Sequence, residues 1–340
     1  MSAPSPPPLR QWLASEGGAV PFRRFMEAAL YDPAFGYYTT RIRTVGAGGD
    51  FSTSATLSPR LARAIAAWIV KEAPPQCRHL VEVGPGNGML HASLREALGW
   101  RGRWHWHSHL VERSPVLRQE QRRRLGRPGG RITWHDCPAE ALAAAGGAAM
   151  IFSNELVDAF PVTLLQQEGG TWQEVWLELL PDGRLVETLR PVVAPRTSLR
   201  AEDFPAGQRV EVQEAWQDWL AEWRPQWRQG TMLTIDYGGL ADRVYNRRPH
   251  GTMRGYRQHQ VLRGPVLYQE FGRCDLTADV NFSDLIHYGN FAGLVTRDLM
   301  TQETFLSRYS REASAADARL ADGQGAGGAF QCLFQQPRDK

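Results

Sequence analysis

Between a short apolar run, His79-Leu80-Val81-Glu82-Val83, and an amphipathic stretch over residues 90–98 stands Gly84-Pro85-Gly86-Asn87-Gly88. Glycines at alternate positions let the backbone turn sharply and let a foreign atom approach it closely. A strand that feeds a helix through such a turn is the opening of a strand–helix–strand unit. The chain continues the alternation: residues 105–111 read as strand, 115–125 as helix, 131–134 as strand, 139–145 as helix and 149–153 as strand. That order predicts an α/β fold with a mostly parallel sheet covered by helices on both faces.

Elsewhere the pattern changes. Residues 9–30 have helical periodicity interrupted at Gly17-Gly18, residues 34–54 read as a loop, and Ser58-Pro59 opens another helix. Residues 162–195 read as antiparallel strands joined by Gly169-Gly170 and Asp182-Gly183 turns, and 210–228 as a Trp-rich helix. Residues 231–235 form a strand, 238–277 look irregular, 282–291 form a helix, and strands close the chain at 294–299 and 330–334. This divides the chain into an N-terminal helical cap with a substrate loop over 1–75 and a core over 76–340, with insertions at about 162–228 and 238–280.

Composition narrows the function. The 39 basic and 36 acidic residues nearly cancel, which gives no reason to expect nucleic acid or a membrane surface as partner. No apolar run reaches membrane-spanning length. Cys77, Cys137, Cys274 and Cys332 are scattered, which argues against a zinc cluster or disulfide framework and for a reducing compartment. The Pro-rich start lacks a signal peptide and an Arg-rich amphipathic presequence, so a bacterial cytoplasm is expected ahead of the mitochondrial matrix. The 12 Trp are assigned mainly to packing.

The glycine turn spaces its residues as G-x-G-x-G, whereas the dinucleotide fingerprint is G-x-G-x-x-G with phosphates on the helix N-terminus. The shorter spacing, preceded by Glu82, suits a phosphate-free cationic nucleoside such as S-adenosylmethionine, with Gly84, Pro85, Gly86 and Gly88 as the cradle. Glu112, ending the next strand, is placed to accept both ribose hydroxyls. Asp136, after the third strand, faces either the adenine amino group or a helix start.

Candidate chemistry follows the fourth strand, in Ser153-Asn154-Glu155-Leu156-Val157-Asp158. Glu155 and Asp158 are three apart and would share a face of a helical turn, where paired carboxylates can clamp a guanidinium. Asn154 offers donor and acceptor groups to donor or acceptor molecule alike. Asp236 and Tyr237 end another strand, and Tyr37, Tyr38, Asp50 and Ser54 are candidates for a substrate pocket. His105, His107 and His109 alternate on one predicted strand, but no carboxylate or thiol completes a ligand set, so no metal is expected.

Taken together these motifs resemble the MidA-like family of class I methyltransferases. The resemblance runs from Tyr31-Asp32-Pro33 and Gly36-Tyr37-Tyr38, through Gly49-Asp50-Phe51-Ser52-Thr53-Ser54, Val81-Glu82-Val83-Gly84-Pro85-Gly86, Leu110-Val111-Glu112-Arg113-Ser114-Pro115 and Ser153–Pro161, to Ile235-Asp236-Tyr237-Gly238, Gly251-Thr252-Met253-Arg254-Gly255-Tyr256 and Asp275–Phe282. It implies a Rossmann-like seven-stranded sheet with an N-terminal helical cap and an inserted lobe. It also implies S-adenosylmethionine as cofactor and methylation of arginine on a core subunit of complex I. Two positions depart from the family: Ala55-Thr56-Leu57-Ser58 stands where Pro-Glu-Ile-Ser is usual, and Asn281 where Asp is usual. An assembly factor that binds the cofactor without turnover, and a nicotinamide oxidoreductase, are the competing readings. The sequence leaves the oligomeric state open, a homodimer included.

Overall fold

The computed structural model describes residues 7–41, 59–126, 131–192, 194–257, 260–310, 322 and 326–338. Asp50 and Ser54, and the Ala55–Ser58 departure, lie outside the described residues. The chain divides into two units, one of residues 43–156, 218–238 and 288–340 and one of residues 1–42, 157–217 and 239–287.

The first unit holds the parallel sheet. Helix α1 (Arg60–Glu72) leads into β1 (His79–Val83), α2 (Met89–His105), β2 (His107–Val111), α3 (Pro115–Leu125), β3 (Ile132–His135), α4 (Pro138–Ala144), β4 (Met150–Asn154), β5 (Met232–Gly239), β6 (Leu294–Thr301) and β7 (Phe330–Pro337). The strands run in the order β6-β7-β5-β4-β1-β2-β3. Pairs from β3 across to β5 are parallel, and β7 inserts antiparallel between β5 and β6. The chain therefore starts in mid-sheet at β1, moves outward through β2 and β3, then returns to β4 on the other side of β1. Ligands bind open α/β sheets at such a reversal, beyond the carboxyl ends of the strands.

One face of this sheet is held by apolar side chains at alternate positions. Leu80, Met150, Phe152, Leu233 and Ile235 pack against Leu61, Ile65, Trp68 and Ile69 of α1 and Leu90 and Leu94 of α2. Each such side chain contributes about 1.5–3 kcal/mol on burial. The strand predicted to open at residue 105 opens instead at His107, because α2 bends at Gly99 and runs on to His105.

The second unit is antiparallel. A strand at Ala19–Pro21 separates helices Leu9–Ser15 and Phe22–Tyr31 and pairs with Thr171–Leu179. From Thr171–Leu179 the antiparallel sheet continues through Thr163–Glu168 to Arg209–Val212, and Leu185–Pro191 also pairs with Thr171–Leu179. The Trp-rich stretch thus begins as strand; its helix spans only Glu214–Trp223. Trp216, Trp223 and Trp227 are buried, as packing residues should be. Residues 238–277, which look irregular in sequence, contain a small sheet of Arg254–Arg257, Gln260–Leu262 and Asp275–Thr277. Strands this short, with Arg and Gln among them, carry no period-two apolar signal. Among the described residues, no helix is long and apolar enough to cross a membrane.

The Gly251–Tyr256 motif has a structural task in this unit. The buried Glu211 carboxylate accepts from the Thr252 amide (2.6 Å), the Met253 amide (3.0 Å) and the Thr252 hydroxyl (3.0 Å). Arg254 bonds Asp279 at 2.6 Å, and the Asp279 amide donates to the Thr252 hydroxyl at 3.0 Å. Burial pushes the Glu211 carboxyl up to about 7, with Asp279 adding to the rise and the three donors opposing it. The folded pKa exceeds the unfolded one, so the folded state binds this proton more tightly. The resulting stability is complete below pH 4.5 and is lost as pH rises through about 7, a change of ~3 kcal/mol. Glu211→Gln should flatten this part of the profile, as read by urea midpoints at pH 5 and pH 8.

Candidate cofactor and reaction site

The glycine turn leaves β1 at the sheet reversal. Gly84, Gly86 and Gly88 have φ of 67°, 53° and 77°, a left-handed region that other residues enter at a cost of about 1–3 kcal/mol. The turn is pinned at both ends: the Gly84 amide donates to the Val111 carbonyl at 3.0 Å, and the Gly88 amide to the Pro85 carbonyl at 2.8 Å. A Cβ on Gly84 would lie 2.8 Å from Leu156 Cδ1, so the turn also packs closely on the chain after β4.

Around it stand the predicted acids. Glu82 is buried on β1 and bonds His91 Nδ1 of α2 at 2.8 Å, one carboxylate oxygen thus being committed to the protein itself. Glu112, beyond β2, accepts from the Ser114 amide at 2.8 Å and from Gln121 Nε2 at 3.3 Å. Burial pushes its carboxyl up, against those donors and Arg118. A carboxylate so fixed at the carboxyl end of a strand retains acceptor capacity for a vicinal diol. Asp136 is mostly exposed and pairs with Arg118.

At the ends of β4 and β5 lie Asn154, Glu155, Asp236 and Tyr237. Asn154 Nδ2 donates to Glu155 Oε1 at 3.2 Å. Glu155 has φ 53°, a strained conformation for this residue, and its amide donates to the Ile235 carbonyl at 2.9 Å. Asp236, fully buried, accepts from the Leu156 amide at 3.1 Å and from its neighbour, the Tyr237 amide, at 3.0 Å. Asp236 therefore braces the turn that presents Glu155. Tyr237 meets Phe330 edge-on at 5.7 Å.

The shared helical turn expected for Glu155 and Asp158 does not form. Only a 3₁₀ turn, Val157–Ala159, follows Glu155, whose left-handed backbone cannot start an α-helix. Asp158 belongs to the antiparallel unit, buried, and accepts from the Thr277 hydroxyl at 2.8 Å. The same unit gathers Tyr31, whose hydroxyl donates to the Ala159 carbonyl at 2.9 Å, and Tyr38, whose hydroxyl donates to Asp275 Oδ1 at 2.7 Å. Tyr31 and Tyr38 stack at 5.6 Å, and burial next to Asp275 holds the Tyr38 phenol protonated. Tyr37 is buried in a π-helical turn, Tyr37–Arg41. Asn281 is buried and accepts from the Ser283 amide at 3.1 Å at the start of helix Phe282–Phe291. Asp serves equally well there, so the departure from the family keeps the cap.

Comparison with known proteins fits this geometry. The family described as "putative S-adenosyl-L-methionine-dependent methyltransferase" matches residues 60–300, more than half of the chain. The chain belongs to this family. It is 29% identical over 87% of its length to "Protein arginine methyltransferase NDUFAF7 homolog, mitochondrial" of Drosophila melanogaster, covering 72% of that protein. It is 30% identical to the Danio rerio "Protein arginine methyltransferase NDUFAF7, mitochondrial", over 79% of this chain and 68% of that one. Among solved structures, a likely methyl transferase of the COG1565 superfamily from Burkholderia thailandensis, bound to S-adenosyl-homocysteine, superposes with a TM-score of 0.81 at 27% identity, over 98% of this chain and 95% of that one.

This methyltransferase therefore takes S-adenosylmethionine as its cofactor and has the class I fold that the motifs imply. The nicotinamide reading falls with it. One expectation is corrected: the animal relatives are named mitochondrial, which runs against a bacterial cytoplasmic location. Sequence reasoning also missed two residues that hold the glycine turn and its neighbouring acid in place. Gln121 is fully buried on α3 and donates to the Gly86 carbonyl at 2.7 Å while accepting from Trp134 Nε1 at 2.9 Å. His91 is buried on α2 beside Leu90 and Leu94. Each is a polar residue on the apolar face of its helix, Gln121 lying one turn beyond Leu117, and that was the available signal. Gln121→Leu should weaken S-adenosylhomocysteine binding about tenfold, because the Gly86 carbonyl and Trp134 lose a partner worth about 1 kcal/mol or more; isothermal titration checks it.

Proposed function

We propose that this methyltransferase transfers its methyl group to a guanidinium nitrogen of a protein arginine, with a core subunit of complex I as the acceptor. The observation that carries the reading is Glu155: a carboxylate in a strained backbone conformation, braced by Asp236, directly after β4 at the sheet reversal. The names of the relatives support the arginine acceptor, and the family resemblance supports the complex I subunit.

In this reading Gly84, Pro85, Gly86 and Gly88 hold the cofactor's backbone-facing side, Glu112 takes the ribose hydroxyls, and Asp136 takes the adenine edge. Glu82 supplies negative charge near the cationic end, and Asn154 contacts the cofactor and the acceptor nitrogen. When bound, S-adenosylmethionine supplies a methyl group already activated on a sulfonium sulfur. The protein then contributes orientation, which accounts for most of the rate. Glu155 or Asp158 accepts the guanidinium proton, leaving a nitrogen lone pair for the new N–C bond. Tyr237 is taken as an acceptor-side residue, and Asp236 acts by bracing the turn that presents Glu155.

The test is methyl transfer from tritium-labelled S-adenosylmethionine in a mitochondrial lysate, followed by acid hydrolysis of the labelled protein. Label in methylarginine on a complex I subunit supports the proposal. Label on another amino acid, or cofactor binding with no label in protein, contradicts it.

A further inference from the structure

The parallel strands of a sheet covered on both faces usually read as near-continuous Val, Ile and Leu. On β1, β2 and β3 this sheet carries histidines instead: His79 and His107 open their strands, His109 lies mid-strand, and His135 ends β3. The register places His79 of β1 directly beside His107 of β2, and Val81 beside His109. Across the next pair, His109 lies beside Thr133 and Val111 beside His135. Because residues in register or two apart share a face, His79, His107, His109 and His135 all project from the same side of the sheet. His105, grouped with two of them in the sequence, ends α2 and takes no part. The neighbour brought in by the fold, His79, is 28 positions or more from any of the others in sequence, which is why periodicity along one strand could not find it.

We propose that His79, His107 and His109 form a binding site for a divalent transition-metal ion, with His135 positioning His109. One ring nitrogen from each of the three lies within 4.8 Å of the other two. His79 Nδ1 and His109 Nε2 are 2.9 Å apart. Two imidazole nitrogens bound tetrahedrally at about 2.0–2.1 Å from one ion stand about 3.3 Å apart, so small rotations suffice. His109 presents its other nitrogen, Nδ1, to His135 Nε2 at 2.9 Å. That is the arrangement by which an outer partner fixes the orientation of a metal-binding imidazole. Thr133 Oγ1 lies 3.0 Å from His107 Nε2 and 3.5 Å from His109 Nδ1, a second polar brace.

The setting favours lone pairs over protons. Burial holds His79, His107 and His109 below the ordinary imidazole range, with the neighbouring rings adding to it at His79 and His109 and Arg131 at His107. His109 is buried while His79 and His107 are half-buried, so an ion can arrive from solvent. An all-imidazole donor set selects zinc, nickel, copper or cobalt over calcium or magnesium. The ligands lie on the amino side of the cofactor turn: His79 opens β1, about 13 Å along the strand from Val83, where the turn begins, while His135 is level with Val111. An ion here would tie β1 to β2 at the middle of the sheet without touching the methyl-transfer chemistry.

The experiment titrates the full chain, freed of any affinity tag and of adventitious metal, with cobalt(II) chloride and then zinc chloride. The expected result is one equivalent of cobalt with the intense visible bands of a tetrahedral ion, displaced by zinc. X-ray absorption should show nitrogen ligands at about 2.0–2.1 Å. His79→Gln and His107→Gln should each weaken binding by about 100-fold or more, and His135→Gln by about 10–100-fold. His105→Gln should leave it unchanged. S-adenosylhomocysteine binding, measured on every variant, should persist and so report an intact fold. Absence of cobalt and zinc binding at micromolar protein overturns the proposal, as does binding that survives in a folded His79→Gln/His107→Gln double variant.

Discussion

Gly86→Val is expected to reduce the affinity for S-adenosylhomocysteine by about 100-fold or more while the circular dichroism spectrum stays that of the native chain. Gly86 has φ 53°, and a β-branched residue there either strains the backbone or pulls it out of the left-handed region. The strain alone amounts to about 1–3 kcal/mol, and each 1.4 kcal/mol is tenfold in affinity. The shape of the turn is coupled to the site through the Gly86 carbonyl, which Gln121 holds at 2.7 Å while also contacting Glu112. Moving the turn therefore moves the acceptor proposed for the ribose. Isothermal titration reads the loss, and unchanged affinity would show that the turn does not cradle the cofactor.

Glu155→Gln is expected to lower the rate of arginine methylation by about 10²–10⁴-fold, the usual contribution of a positioned proton acceptor, with cofactor affinity nearly unchanged. The substitution preserves size and the contact from Asn154, and removes only the negative charge. Single-turnover measurements with labelled cofactor separate the chemical step from binding. Full activity in Glu155→Gln together with a comparable loss in Asp158→Asn would assign the proton to Asp158, the buried carboxylate that Thr277 holds.

The parts of this molecule legible in the sequence are those whose signals are local. The alternation of strands and helices from His79 to Asn154 and the glycine turn follow from periodicity and from backbone freedom over a few residues. So does the helix Pro115–Leu125, with proline at its first position. The place of Glu112, though not its role, was legible for the same reason, since it follows a strand whose place in the sheet the alternation dictates. What escaped depends on partners far apart in the chain. Asp236 looks like a substrate residue until its bond to the Leu156 amide is seen. Glu155 and Asp158 look like a helical pair until the left-handed residue between strand and turn separates them. Gln121 and His91 sit where helical spacing calls for apolar side chains, and only the carbonyl and carboxylate they meet explain them. The histidine row needs three strands side by side before it exists at all.

A crystal structure of the full chain with S-adenosylhomocysteine is the most direct test of the cofactor assignment. It should show the nucleoside seated against Gly84–Gly88, with both ribose hydroxyls on the Glu112 carboxylate. Nucleoside density at any other place on the sheet, or a Glu112 carboxylate bonded only to Ser114 and Gln121 in the complex, would contradict it.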